Sequence, residues 1–208
     1  LIKDFSNLDT LLLEGAQGFY LDPHSGNYPY TTSSFSHPAY AACNFGFSPK
    51  SIRHIVGVAK AYETRSGQDP TFYNVFEKNQ FTDKPIHLTD SNIKDFDAIQ
   101  KAGKEYGVTT GRKRAVNYLS LPKLVNAINS TGTTILVINK WDILNELKIF
   151  KLISYYDEII SFADSSVMIK FVELHIKMSC PSVKHILHSA SPQSDLDWHK
   201  VLKHDRKI

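Results

Sequence analysis

The sequence predicts an α/β fold with a mixed, largely parallel β-sheet flanked by helices. Short apolar runs at Thr133–Ile138 and Val183–Leu187 are typical of buried strands, and a helical spacing of apolar residues at Val167–Met178 separates them. The polar clusters "NKWD" and "HSASPQSD" follow these two runs directly. Strands that alternate with helices indicate a sheet whose ligand sites lie at the carboxyl ends of its strands.

The first part of the chain contains fewer regular patterns. Thr10–Leu13 is a short apolar run that predicts a buried strand feeding the glycine-rich cluster "EGAQG". Tyr20–Tyr40 is rich in Gly, Pro, Ser and Tyr, which predicts a long ordered loop. Ser51 is a suitable N-cap for a helix that extends to about Tyr62, and Gln68–Lys94 is polar and without a period, which predicts irregular structure. The apolar face of that helix comprises Ile52, Ile55, Val56 and Ala59.

A further helix is predicted in the middle of the chain, at about Leu121–Asn129. Pro122 lies near its first turn, where the missing backbone N–H costs nothing. Gly132 ends the connection to the following strand.

Composition sets limits on the class of protein. The 208 residues carry 24 basic and 21 acidic side chains, for a net charge of +3, so the charge does not predict a nucleic-acid partner. The two cysteines, Cys43 and Cys180, are far apart, which favours a reducing, cytoplasmic setting over a disulfide framework. No apolar run reaches the length of a membrane span, so no membrane partner is expected.

Two polar segments near the start of the chain suit a nucleotide. In "EGAQG", glycines allow close approach of the backbone to a ligand, and the amide of Gln17 can both donate to and accept from a purine 6-oxo edge. "TTSS", Thr31–Ser34, supplies hydroxyls that could hold a phosphate or ribose. A tight turn with an incidental glutamine explains the first segment equally well, and runs of hydroxyl residues such as the second are more often ordinary loops.

The segment "EYGVTTGRKR" indicates a carboxylate-binding loop. Thr109 and Thr110 precede Arg112 and Arg114, and the planar fork of arginine matches a carboxylate in a way that lysine does not. The alternative is a solvated basic turn.

The segment "NKWD" indicates recognition of a guanine base. A carboxylate at Asp142 could accept hydrogen bonds from the N1–H and 2-amino groups of guanine, while the stem of Lys140 packs on the ring. Polar residues also end many strands without any ligand.

The remaining polar and aromatic residues are not assigned to a site. His185 and His188 have no third ligand at a suitable spacing, so no metal site is predicted. Trp141 and Trp198 are interpreted as packing residues.

Taken together and in this order, four segments resemble the adenylosuccinate synthetase family. They are "EGAQGFYLDPHSGNYPYTTSS", "KAYETRSGQDP", "EYGVTTGRKRAVNYLSL" and "NKWDIL", with a weaker similarity at "HSASP". The resemblance implies an adenylosuccinate-synthetase-like α/β fold related to P-loop NTPases. It also implies that residues 1–208 are the C-terminal portion of a single such domain, with the N-terminal part absent.

The resemblance implies a role for individual residues. Gln17 corresponds to a catalytic glutamine at the purine 6-oxo group, and Thr32 and Arg65 to contacts with the purine nucleotide substrate. Four residues correspond to the aspartate-binding loop, with the arginines on the substrate carboxylates: Thr109, Thr110, Arg112 and Arg114. Lys140, Asp142 and Ser189 correspond to the GTP site.

The resemblance also implies the reaction and its partners. The family joins L-aspartate to the 6-oxo position of IMP with GTP hydrolysis, in purine nucleotide biosynthesis, and its members are typically homodimers. Mg²⁺ is the expected cofactor, but its ligands, like the catalytic aspartate and histidine, are expected in the N-terminal part and none is assigned in this chain.

Departures from the family pattern leave two alternatives open. "SSFSHPAYAACNFGFSP", "SGQDPTFYN" and "SASPQSD" replace segments that face the nucleotides in the family. Phage members that join aspartate to dGMP with ATP diverge in the same loops, so a 2-amino-2'-deoxyadenylosuccinate synthetase is the first alternative. A non-catalytic nucleotide-binding fragment is the second.

Overall fold

The computed structural model of the chain describes residues 11–67, 90–109, 111–191, 196 and 201. It divides into two compact units, Leu1–Arg53 and His54–Ile208, which are described separately. The expectation that residues 1–208 belong to one domain stays a prediction.

The first unit contains short helices and loops. A 3₁₀ turn at Phe19–Leu21, helix α1 at Ala39–Phe45 and a second 3₁₀ turn at Pro49–Ser51 are its regular elements among the described residues. The strand predicted at Thr10–Leu13 is wrong for the described Leu11–Leu13, where no strand forms and Leu12 is 86% exposed. An apolar run forms a strand only when another strand pairs with it, and no such partner lies in the described part of the chain.

Asp22 orders the long loop of the first unit. Its buried carboxylate accepts backbone N–H bonds from His24, Ser25, Ser36 and His37 at 2.7–3.2 Å. Burial alone would raise the pKa of Asp22, but these four donors hold it below its ordinary value. The prediction of an ordered loop between Tyr20 and Tyr40 is therefore confirmed.

The second unit is the α/β part of the chain. Its elements are β1 Val56–Lys60, β2 Tyr62–Arg65, α2 Asp90–Ala102, β3 Ala115–Ser120, α3 Leu121–Thr131, β4 Ile135–Asn139, α4 Trp141–Leu147, β5 Lys151–Ile153, β6 Ile159–Ser161, α5 Ser165–Ser179 and β7 His185–His188. One sheet has the order β1-β4-β7 with every pair parallel, and the other has the order β2-β3-β5-β6 with only β3 and β5 parallel. The predicted mixed, mostly parallel α/β fold is confirmed.

Three strands of the first sheet end at one edge. Lys60 of β1 is in register with Asn139 of β4, and Ile138 is in register with His188 of β7. Ala61 N–H and Ser189 N–H donate to the carbonyl oxygens of Asn139 and Ile138, which extends both pairings by one residue. The polar residues that follow β1, β4 and β7 therefore lie side by side.

Capping residues mark the ends of two helices. The Ser120 hydroxyl accepts from Lys123 N–H at the start of α3, Pro122 lies in its first turn, and Gly132 ends it at a φ of 67°. Asp164 caps α5 in the same way through Val167 N–H. The predictions of helices at Leu121–Asn129 and Val167–Met178, and of strands at Thr133–Ile138 and Val183–Leu187, are confirmed within a few residues.

The helix predicted from Ser51 to Tyr62 is wrong. Ser51 closes a 3₁₀ turn, and the residues after it form β1 and β2. The β-branched residues of this segment suit a strand, and β4 supplies a parallel partner from Val56 to Lys60. Position 57 requires a glycine in this pairing, because a Cβ there would lie only 2.9 Å from the Thr133 side chain, which is too close.

The irregular structure predicted for Gln68–Lys94 is wrong from Asp90, where α2 begins, and residues 68–89 lie outside the described residues.

Candidate active site

The turn between β4 and α4 carries the residues predicted to recognise a base. Lys140 lies in the left-handed region, with a φ of 69°, and this reverses the chain so that Trp141 opens α4. Asp142 lies in the first turn of α4, where the positive end of the helix dipole favours a carboxylate. It is half-buried, and among the described residues its carboxylate accepts no hydrogen bond. Asp142 is thus an acceptor that a ligand can use.

A hydrogen-bonded chain of side chains holds this turn against β7. Trp141 Nε1 donates to His188 Nδ1 at 3.1 Å, and His188 Nε2 lies 2.9 Å from Glu173 Oε1 on α5. Trp141 is only 1% exposed, which confirms its interpretation as a packing residue. Trp198 lies outside the described residues.

Ser189 lies beside this turn, directly after β7. Its hydroxyl donates to Ser191 O at 2.9 Å, and its N–H pairs with Ile138 O at 3.0 Å. On the neighbouring strand, Asn139 Oδ1 is buried and has no hydrogen-bond donor among the described residues. The edge therefore holds a second acceptor beside Asp142.

The predicted aspartate loop is a hairpin closed by its own backbone. Arg114 N–H donates to Glu105 O at 3.0 Å, Gly107 N–H donates to Arg112 O at 2.8 Å, and Tyr106 pairs with Lys113. Thr109 and Arg112 are exposed at its tip, and Thr110 lies outside the described residues.

Glu105 is the centre of the charged groups at the base of this hairpin. Only 2% of it is exposed, and its carboxylate accepts from Lys60 Nζ at 2.7 Å, Tyr62 Oη at 2.9 Å and Arg114 Nη1 at 3.1 Å. Burial would raise the pKa of Glu105, but Lys60, Tyr62 and Arg114 together hold it below its ordinary value. Burial, with the Glu105 carboxylate nearby, raises the pKa of Tyr62, so its hydroxyl stays a neutral donor.

Lys140 links the turn between β4 and α4 to the residues just before the hairpin. Its Nζ donates to Gly103 O at 3.3 Å, two residues before Glu105. Burial lowers the pKa of Lys60, and Arg114 and Lys140 act in the same direction through their charges, so these three cations lie near one another. The structure thereby brings together Arg114, Lys140, Asp142 and Ser189 at the carboxyl edge of β1, β4 and β7.

Arg65, Gln17 and Thr32 are the other predicted site residues that the structure describes. Arg65 is at the end of β2, paired in register with Ala115 just after the hairpin, and is 6% exposed. Gln17 and Thr32 belong to the first unit. Gln17 is exposed at a φ of 71°, and Thr32 N–H donates to Leu21 O at 2.8 Å. The cluster "EGAQG" does not follow a strand as predicted, whereas "NKWD" and "HSASPQSD" do.

Reasoning from sequence missed Glu105 and Lys60. Both lie inside the segments "EYGVTTGRKR" and "KAYETRSGQDP", but no spacing rule joins a glutamate to a lysine 45 positions earlier. The available signal was a lone acidic residue at the start of a basic loop.

The described residues offer no site for a metal ion. Within residues 11–67, 90–109 and 111–191, no three His, Cys, Asp or Glu side chains come together to hold one. None of the helices described is long and apolar enough to cross a membrane.

Comparison with known proteins identifies relatives along most of the chain. The family model described as adenylosuccinate synthetase matches residues 1–179. The adenylosuccinate synthetase of Syntrophus aciditrophicus is 37% identical over 142 residues, 68% of this chain and 29% of the relative. That of Petrotoga mobilis is 39% identical over 148 residues, 71% of this chain and 31% of the relative. The chain therefore spans about a third of the length of these curated relatives.

Solved structures share the fold. Fully ligated adenylosuccinate synthetase from Plasmodium falciparum superposes with a TM-score of 0.59 at 19% identity, over 86% of this chain and 47% of that one. Cyanophage S-2L succinoaminodeoxyadenylate synthetase (PurZ), bound to dGMP and dATP, superposes with a TM-score of 0.53 at 18% identity, over 86% of this chain and 43% of that one. The family model and the curated relatives show that the chain belongs to the adenylosuccinate synthetase family.

Proposed function

We propose that the intact protein joins L-aspartate to the 6-oxo position of IMP with hydrolysis of GTP. One observation carries the proposal: Lys140 joins a base-recognition turn to an arginine hairpin at one sheet edge, through its hydrogen bond to Gly103 O. A ligase of this type needs a nucleotide site and a carboxylate site close together.

The turn after β4 would bind the guanine of GTP. The Asp142 carboxylate is without a donor among the described residues, and guanine offers two adjacent N–H donors that adenine lacks. The buried Asn139 Oδ1 offers a further acceptor, and Ser189 lies one strand away. The stem of Lys140 would cover a face of the base.

The hairpin would bind aspartate. Arg112 is at its exposed tip and Arg114 at its base, so the two guanidinium groups could each take a substrate carboxylate. Thr109, at the same tip, and Thr110, which lies outside the described residues, would contribute hydroxyl or backbone contacts.

The purine substrate would involve three further residues. Gln17 would contact the 6-oxo group through its amide, Thr32 would lie near the nucleotide phosphate, and Arg65 would approach the ribose. These roles rest on the resemblance of "EGAQGFYLDPHSGNYPYTTSS" and "KAYETRSGQDP" to the family pattern.

The chemistry has two steps in which bonds and charges balance. As the purine N1–H gives up its proton, the 6-oxo oxygen forms a bond to the γ-phosphorus of GTP, the bond from that phosphorus to the β,γ-bridging oxygen breaks, and GDP leaves. The aspartate amine then attacks C6, the C–O bond breaks, inorganic phosphate leaves, and the amine loses a proton. Arginines that hold the aspartate carboxylates would keep the aspartate amine near C6. The attack of the amine on C6 then becomes effectively unimolecular, because both groups are already bound in position. Mg²⁺ would neutralise phosphate charge when bound. The described residues do not supply its site.

A second candidate has a specific observation in its favour. The segments "SSFSHPAYAACNFGFSP" and "SASPQSD" depart from the family pattern where it faces nucleotides. The cyanophage structure with the same fold holds dGMP and dATP. Joining aspartate to dGMP with ATP is therefore the alternative reaction. The free Asp142 carboxylate favours GTP as donor, because ATP has no donor pair for it.

A substrate matrix on the full-length gene product tests these functions. IMP or dGMP would be combined with GTP or ATP, each with aspartate and Mg²⁺, and the products followed by absorbance and mass. Product from IMP and GTP supports the proposal, and product only from dGMP and ATP supports the second candidate. No product with any pair, together with measurable nucleotide binding, would support a non-catalytic nucleotide-binding role. We also propose that the protein is a homodimer, as members of the family typically are, and light scattering on the same sample tests this.

A further inference from the structure

The carboxylate of Glu105 is surrounded by cations that are themselves partly accessible. Glu105 is 2% exposed, whereas the side chains of Lys60 and Arg114, which donate to its two oxygens, are 25% and 31% exposed. A buried carboxylate keeps its charge when cations and hydrogen-bond donors surround it, and those cations need not be buried themselves. Here the carboxylate lies inside and the cations extend outward.

The backbone around Glu105 fixes its position. Glu105 N–H donates to Gln100 O at 2.9 Å, and Gln100 Nε2 donates to Glu105 O at 3.0 Å, so Glu105 is tied to α2. The same carbonyl accepts from Arg114 N–H, which closes the hairpin. These bonds fix the position of Glu105, and Glu105 in turn fixes the positions of the Lys60 and Arg114 side chains.

Charge around Glu105 is not balanced. Glu105 pairs with Lys60 and Arg114, Lys140 lies near enough to affect the pKa of Lys60, and Asp142 lies near enough to affect that of Tyr62. Three cations therefore stand against two carboxylates. Of the five N–H groups of the Arg114 guanidinium, only one on Nη1 donates to a described acceptor. The cluster keeps excess positive charge and unused donors, as an anionic ligand requires.

We infer that Glu105 is a positioning residue of the aspartate site, which holds Arg114 and Lys60 so that the unused donors of Arg114 and the charges of both cations meet a substrate carboxylate. The inference rests on the proposed function and deepens it. Lys60 is the additional cation that this arrangement assigns to the carboxylate, alongside Arg112 and Arg114. Glu105 itself does not contact the substrate.

Glu105→Gln in the full-length enzyme tests this role. The amide keeps the shape but removes the charge and directs an N–H₂ group at a cation. With nucleotides saturating, the KM for aspartate should rise on the order of 10- to 100-fold, since loss of a supporting partner has effects of this size. The KM values of both nucleotides should change less than about 3-fold. Succinate, a dicarboxylate without the amine, should lose affinity in parallel in calorimetric titrations.

Glu63→Gln is the matched control. Glu63 lies on β2, accepts from Lys123 Nζ at 3.3 Å and from Ser120 N–H at 3.2 Å, and is likewise a partly buried carboxylate in an ion pair. Its substitution should lower stability without changing the KM for aspartate. A rise in the KM for aspartate equal to that of Glu105→Gln would overturn the inference.

Two further variants cover the case in which Glu105→Gln does not fold. Glu105→Asp keeps the charge and should restore most of the aspartate affinity, and Lys60→Met should raise the KM for aspartate with Glu105 intact. An unchanged KM in Lys60→Met, or equal losses for aspartate and nucleotides in Glu105→Asp, would refute the positioning role while leaving the ligase function standing. A wild-type enzyme that neither binds aspartate nor consumes it would instead overturn the proposed function and this inference with it.

Discussion

Trp141 Nε1 donates a hydrogen bond to His188 Nδ1 at 3.1 Å, and this contact joins the start of α4 to the end of β7. A nitrogen that accepts from an indole N–H carries no proton itself. The proton of the neutral imidazole is therefore on Nε2, which donates to Glu173 at 2.9 Å. The turn that presents Asp142 is thus held by a chain of bonds to a neighbouring strand and helix.

Trp141→Phe should loosen this turn. The ring change leaves His188 Nδ1 without its donor and opens space in the core, so we expect a loss of about 1–3 kcal/mol in the free energy of unfolding. Urea denaturation measures it. Tyr156→Phe, at an 86% exposed position, is the control and should stay within about 0.5 kcal/mol. Equal stability of both variants would show that the Trp141–His188 bond is unimportant.

Asp142→Asn should weaken the use of GTP and relax the choice of base. The amide replaces one acceptor oxygen by a donor group, which opposes the N–H groups of guanine. Steady-state kinetics with GTP, ITP and ATP on the full-length enzyme would show the change as a higher KM for GTP. Glu146→Gln neutralises an exposed carboxylate on the same helix and should have no such effect. An unchanged KM for GTP in Asp142→Asn would remove the assignment of base recognition.

Arg112→Leu should raise the KM for aspartate far more than that of either nucleotide. Loss of a charged partner of a bound carboxylate typically costs about 2–5 kcal/mol. Lys113→Leu, at the adjacent exposed position, is the control for a change of charge in the hairpin. If the two variants respond alike, or if nucleotides and aspartate are affected equally, Arg112 does not bind the substrate carboxylate.

Acid should destabilise the fold partly through Glu105. Its pKa in the folded protein lies below its ordinary value of 4.5, so the stability it contributes is fully present above that pH and is lost as the pH falls through the folded pKa. Chemical denaturation at intervals from pH 6 to pH 3 should therefore show a shallower acid loss for Glu105→Gln than for the wild type. Parallel curves for the two proteins would contradict the assignment.

The elements that sequence predicted best were those whose local chemistry and burial agree. Helix α3 has a serine cap, a proline in its first turn and a glycine at its end, and β4 is a continuous apolar run with a turn on each side. The segment after Ser51 failed because its apolar residues satisfy a helical period, while the partner strand that decides the outcome lies about 80 residues later. Leu11–Leu13 failed for the opposite reason, because no described strand pairs with it.

The sequence by itself determined the family, the α/β class and the two segments at the sheet edge, because ordered motifs and apolar periods are properties of the chain alone. Only the tertiary structure decided that Glu105 lies beneath the arginine hairpin with Lys60 and Tyr62, and that Lys140 reaches Gly103. These contacts join residues about 40 positions apart, and such pairs form only when strand register and helix packing bring distant segments together.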